Sequence, residues 1–150
     1  MYHNVNRFSK EKERELGITY KSFEDVISLS DILTLHLPLL PSTRNIIGVK
    51  ELKAMKNTAI LVDTARDSLV DLKALVDALK NGEISGAAID ILDPIAADSP
   101  FKDIDDLNLV LTPHIGAATY DNYDRVYKLC GTNALHILHG EKPEMVLKLG

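Results

Sequence analysis

The sequence predicts an α/β fold of the Rossmann type, a doubly wound parallel sheet, and three observations carry that expectation. Helical patterns alternate with short apolar, β-rich runs at 32–36, 59–62, 85–92 and 109–111. The runs give way to polar or turn-forming residues, in order His36-Leu37-Pro38, Asp63-Thr64-Ala65-Arg66, Asp93-Pro94 and Thr112-Pro113-His114. No internal repeat or low-complexity linker interrupts the alternation. Open sheets of this class hold their ligands at the carboxyl ends of the strands, so chemistry is expected there.

The elements follow in order. Met1 to Val5 reads as the end of a strand. Ser9 suits the cap of a charged helix, Lys10 to Leu16, which Gly17 terminates. Ile18-Thr19-Tyr20 is a short strand, and Ser22 with Asp25 starts a second helix to about Leu29. Ile32 to His36 is a buried strand halted by Pro38 and Pro41. Thr43 to Ile47 and Lys50 to Met55 are short helices. Ala59 to Val62 reads as a strand buried on both faces. Asp71 caps a helix whose Leu72, Leu75, Val76 and Leu79 share one face, and Asn81-Gly82 stops it. Ser85 to Leu92 is a buried strand rich in small residues, and Leu109 to Leu111 is the last strand. A long helix from about Thr119 to His139 ends at Gly140.

Composition narrows the function classes. With 150 residues, 45% hydrophobic and 26% charged, the chain can build one domain with a real core. A net charge of -5, with Lys and Arg scattered, gives no footprint for nucleic acid. No apolar run approaches the roughly 18 residues of a membrane span, and no signal-peptide core opens the chain. The single Cys130 excludes an internal disulfide and points to a reducing, cytoplasmic location. Its place in a helical pattern reads as a small buried hydrophobe.

Three strand ends carry candidate chemistry. Arg66 offers a planar, permanently charged fork suited to a carboxylate or α-keto acid. The bland alternative is a surface Arg paired with Asp63 or Asp67. Asp90, near the end of the next strand, is either a ligand or a turn former. His114, after the last strand, is either a general acid/base or a loop capping residue, and imidazole titrates near working pH. Arriving at successive strand ends, the three look like one site. No metal-ligand set is assigned.

Three segments carry a family resemblance: LHLPLLPSTRNII (35–47), LKAMKNTAILVDTARDSLVDLKALVDALKNGEISGAAIDILDP (52–94) and LTPHIGAAT (111–119). In residue type and spacing the chain resembles the NAD(P)-dependent D-isomer-specific 2-hydroxyacid dehydrogenases, from about Tyr2 to Val146. The resemblance implies that Arg66 binds the substrate carboxylate and carbonyl, and that His114 exchanges a proton with the substrate oxygen. It implies that Asp90 holds the nicotinamide carboxamide and that Thr64, Ala65 and Gly116 line the nicotinamide pocket. His36-Leu37-Pro38 would lie against the adenosine side. The implied partner is a small 2-hydroxy or 2-keto acid, the implied cofactor NAD or NADP, and the implied assembly a homodimer through the cofactor domain.

The departures from that family pattern matter equally. A catalytic Glu is expected five residues after Asp90, where this chain has Ile95; Asp93 lies two residues earlier. Asp67 stands where Gly is usual and Asp63 where Asn is usual, so two carboxylates flank Arg66 and would compete for its charge. No G-x-G-x-x-G occurs. The expectation is therefore a truncated NAD(P)-binding domain over 1–150, lacking its first strand, its Gly-rich loop and the substrate domain. The missing central strand would leave two facing unpaired edges. No acid follows Tyr2 to hold an NAD ribose; Arg7 would face a 2′-phosphate, favouring NADP, or would be a solvated loop residue. Two functional readings stand: an oxidoreductase impaired in this chain alone, or a non-catalytic nucleotide-binding or interaction module.

Overall fold

The helix starts and stops follow from local capping chemistry, as expected. The Ser9 side chain accepts the Lys12 N–H at the start of α1 (Lys10–Leu16), and Gly17, at φ 64°, ends it. Ser22 does the same for α2 (Phe23–Leu29) by accepting the Asp25 N–H. A computed structural model describes residues 1–90, 101 and 106–145. The chain divides into two compact units, Met1–His114 and the residues from Ile115 onward.

The first unit is built on four parallel strands, β1 (Ile32–Leu35), β2 (Ile60–Asp63), β3 (Gly86–Asp90) and β4 (Leu109–Thr112), hydrogen-bonded in that order. Parallel neighbours require crossovers. α3 (Val49–Ala54) lies between β1 and β2, and α4 (Leu72–Lys80) between β2 and β3. Right-handed crossovers advancing in one direction put both helices on the same face of the sheet, and α3 and α4 do pack together. α4 starts at Asp71, whose carboxylate accepts the Ala74 N–H, and buries Ala74, Leu75, Val76, Ala78 and Leu79.

The core lies under that face. Leu33, Leu35, Leu61, Ala87 and Ile89 from the strands meet Ile47, Leu52, Leu69 and Leu75. Burying a side chain such as Leu61 is worth about 1.5–3 kcal/mol. Register fixes the alternation: Leu33 opposes Leu61, and Leu61 opposes Ala87. Small residues in β3 have a geometric reason. A Cβ on Gly86 would run into the Asn108 side chain, whose Nδ2 donates to the Ser85 carbonyl at 2.8 Å.

Several expectations are corrected. β1 and β2 are buried on one face only. Ile32 is 65% exposed and Ile60 37%, because the intervening residues point to the side away from the core. Residues 41–45 form turns rather than a helix, with Asn45 at φ 51°. Ile18–Tyr20 contributes a single parallel bridge, Tyr2 to Tyr20, instead of a strand. β3 is described as far as Asp90; Leu92, Asp93 and Ile95 lie outside the described residues.

In the second unit Thr119 caps α5 (Tyr120–Leu138) by accepting the Asn122 N–H, and Gly140 follows at φ 73°. No α5 residue is buried. Cys130 is exposed, contrary to the buried position expected for it. No helix among the described residues is long and apolar enough to cross a membrane.

Candidate active site

The register aligns four strand ends. Leu35, Asp63, Ile89 and Leu111 share one level across the sheet. The next residues along, His36, Thr64, Asp90 and Thr112, therefore form a row at the carboxyl edge. Arg66 and His114 each follow two residues beyond that row. The first unit thus brings Arg66, Asp90, His114, Thr64, Ala65 and His36 to one edge of one sheet. Gly116 belongs to the second unit.

Asp63 ends β2 and is 1% exposed. Its Oδ1 accepts the backbone N–H of Ala65 at 2.8 Å and that of Arg66 at 3.2 Å. Its Oδ2 has no partner. Burial pushes the Asp63 carboxyl above its ordinary pKa against the pull of the two N–H groups. Asp67 is occupied locally, accepting the Ser68 N–H at 2.7 Å. Neither carboxylate pairs with Arg66. The guanidinium is exposed and its Nη1 donates to the carbonyl of Ala65. The surface ion pair that would have made Arg66 a bland residue is not formed.

Asp90 is buried, and the Thr112 hydroxyl donates to its Oδ1 at 2.6 Å. That bond ties the ends of β3 and β4 just before His114. His114 is exposed at φ 55°, in the left-handed region, with its N–H on the Thr112 carbonyl at 2.9 Å. A non-glycine residue in this region marks a sharp, specified turn. His36 is exposed and its Nε2 lies 3.0 Å from Thr34 Oγ1. Pro38, His36 and Thr34 line a cavity of about 620 Å³ that is also walled by Met1–Val5 and Ile32–Leu35.

Arg7 is held locally. Its Nε and Nη2 donate to the two oxygens of Glu13 at 2.8 and 2.9 Å, and it lies 4.9 Å from the centre of the Tyr20 ring. Tyr2 Oη also donates to Glu13, at 2.9 Å. These bonds, with Arg7 as the largest cause, lower the Glu13 carboxyl to about 2. Arg7 is therefore half of a clasp across the N-terminal segment rather than a solvated loop cation. The roles of Asp63 and Thr112 were missed by sequence reasoning. An Asp two residues ahead of a turn N–H is a recognisable Asx-turn signal; the Thr112 bond depends on strand register and leaves no local trace.

A parallel sheet with an arginine, a buried carboxylate and a histidine at consecutive strand ends defines a dinucleotide-binding domain of the dehydrogenase class. Residues 1–116 match the family described as D-isomer specific 2-hydroxyacid dehydrogenase, NAD binding domain, and the chain belongs to that family. It is similar to glyoxylate reductase of Aeropyrum pernix, 42% identical over 145 residues, covering 95% of this chain and 42% of that protein. Glyoxylate reductase of Thermococcus litoralis is 42% identical over 135 residues, covering 89% of this chain and 40% of that protein. Among solved structures, D-lactate dehydrogenase with NAD+ from Lactobacillus jensenii superposes with a TM-score of 0.86. It is 31% identical, over 97% of this chain and 47% of that one. The chain spans less than half the length of these relatives.

The residues fit the nicotinamide end of such a cofactor. A buried carboxylate can accept an amide N–H, and exposed backbone at Thr64 can approach a flat ring. For the pyrophosphate the sequence offers no G-x-G-x-x-G.

Proposed function

We propose that this chain is the cofactor-side part of an NAD-dependent oxidoreductase acting on a small 2-keto or 2-hydroxy acid. Glyoxylate is the first candidate, by likeness to the two reductases. The observation that carries the reading is the guanidinium of Arg66, exposed at the end of a core strand and unpaired with any carboxylate among the described residues. In this reading Arg66 grips the carboxylate and keto oxygen through paired N–H donors. His114 delivers or accepts the proton at that oxygen. Asp90 orients the carboxamide, Thr64 and Ala65 line the ring, and His36 and Pro38 flank the adenosine side. The cofactor, when bound, supplies the hydride chemistry. NAD is favoured over NADP because Arg7 is already paired with Glu13.

The cavity between Met1–Val5 and β1 supports a further element of the reading, that the domain's first strand and Gly-rich loop enter there from outside this chain. A homodimer is proposed through the exposed apolar residues of α5, Tyr123 and Tyr127 among them. A cytoplasmic site of action is consistent with one exposed thiol. The second reading, a non-catalytic nucleotide-binding or interaction module, is favoured by Ile95, which stands where a catalytic Glu is expected. Titration calorimetry with NADH and NADPH, followed by a glyoxylate-dependent NADH oxidation assay, tests the proposal. NADH binding with turnover supports the enzyme. Binding without turnover supports the nucleotide-binding module, and no binding of either nucleotide overturns the enzyme and leaves the interaction module. Light scattering that shows only monomer removes the dimer.

A further inference from the structure

Asp63 is the one carboxylate of the described core that sits at a strand end with an oxygen left over. It is 1% exposed, flanked in register by Leu35 and Ile89, and its Oδ2 meets no hydrogen-bond partner. Placing a carboxylate there is unfavourable, and a neutral residue of the same size would pack without that penalty. What the carboxylate does in return is local and specific. One oxygen gathers two successive backbone N–H groups, those of Ala65 and Arg66, at 2.8 and 3.2 Å. Such charge-assisted bonds are stronger than neutral ones. They close the turn at its base, just before the chain enters the 3-10 turn Asp67–Leu69.

Arg66 itself has little else to hold it. Its side chain is exposed, and among the described residues its guanidinium bonds only the adjacent Ala65 carbonyl. The direction in which the guanidinium leaves the sheet is thus set by its backbone, and its backbone is set by Asp63. The other charged groups that bear on Asp63 are His36, from the end of β1, and Asp67, from the 3-10 turn; neither bonds it.

We propose that Asp63 is a positioning residue for Arg66, holding from inside the sheet the turn that presents the guanidinium to an anionic substrate. The proposal rests on the dehydrogenase reading only for what Arg66 is presented to.

The test compares the wild-type chain with Asp63→Asn and Asp63→Leu. Asn keeps a side-chain oxygen for both N–H groups; Leu keeps the size and removes every acceptor. Amide exchange at Ala65 and Arg66 is read by NMR against the strand amides of Leu61 and Ala87. Glyoxylate KM and kcat are measured with NADH. The expected result for Asp63→Leu is exchange at Ala65 and Arg66 about tenfold faster, with the reference amides unchanged, and a glyoxylate KM raised about tenfold with kcat moving less. Asp63→Asn restores both readouts. Two results overturn the proposal: Asp63→Asn loosening the turn as much as Asp63→Leu, or Asp63→Leu accelerating exchange evenly along β2. Absence of turnover in the wild-type chain would instead favour the non-catalytic reading, and the exchange pattern would still decide the role of Asp63.

Discussion

Thr112 donates its hydroxyl to the buried carboxylate of Asp90 at 2.6 Å, across a strand pair whose register sets the two residues side by side. The bond joins two strand ends that are far apart in sequence and that lead into different parts of the candidate site. Its loss should therefore register in stability before chemistry. Thr112→Val keeps the shape and removes the donor, and it is expected to destabilise the chain by about 1–3 kcal/mol in urea unfolding. Thr112→Ser should recover most of that loss.

Arg66→Lys preserves charge and loses the planar fork. Because the side chain is exposed, the melting temperature should stay within a degree or so of wild type. The KM for glyoxylate should rise about 10- to 100-fold, the equivalent of one or two charge-assisted hydrogen bonds. Steady-state kinetics beside a thermal melt would check both halves.

The Arg7–Glu13 clasp makes an acid-side prediction. Glu13 has its carboxyl lowered from an ordinary 4.5 to about 2. A lowered carboxylate stabilises the fold above its unfolded value and loses that contribution as pH falls through its folded value. Stability should thus decline between about pH 4.5 and pH 2. Glu13→Gln or Arg7→Met should flatten the pH dependence of the melting temperature in that window. An unchanged slope would contradict the clasp.

Asp63 works in the opposite sense. Burial raises its pKa, so the folded chain favours the protonated acid, and stability falls as pH rises above the ordinary carboxylate value of 3.8. Asp63→Asn removes that liability and keeps the acceptor. It is expected to melt higher than wild type at neutral pH, with the advantage shrinking on acidification, as followed by circular dichroism across a pH series.

At His114 a backbone demand meets the acid/base role proposed for it. At φ 55° it tolerates Asn and disfavours β-branched side chains. His114→Asn should fold as wild type, while turnover falls about 100- to 10,000-fold for want of an acid/base. His114→Val should lose about 1–2 kcal/mol of stability as well. Comparing the two variants by melt and assay separates the turn from the chemistry.

How much of this was legible in the sequence depends on how local the physics is. The Ser9, Ser22 and Asp71 caps, each written within three residues of the N–H it accepts, are all present. So are the parallel class and the strand ends that carry Arg66, Asp90 and His114. The exposure of Ile32 and Ile60 was not legible, because apolar β-branched runs look alike whether one face or two is covered. Thr43 to Ile47 reads as a short helix that the Asn45 backbone, in the left-handed region, breaks. Arg7 and Glu13 meet from a loop and a helix six residues apart, a spacing that neither helix nor strand periodicity marks as a contact. Cys130 read as buried because its helix has apolar spacing, yet no α5 side chain is covered.

The wet face of β1 and β2 has a thermodynamic consequence. Ile32, Ile60 and Val110 keep much of their surface in water after folding, at 65%, 37% and 59% exposure. Heat-capacity change and denaturant sensitivity both scale with the apolar area that unfolding newly exposes. A chain of 150 residues that leaves Ile32, Ile60 and Val110 this wet should thus unfold with a shallower urea slope and a smaller heat-capacity step than its length predicts. Its stability curve against temperature would be correspondingly flat, with little to distinguish a cool solution from a warm one until the transition itself.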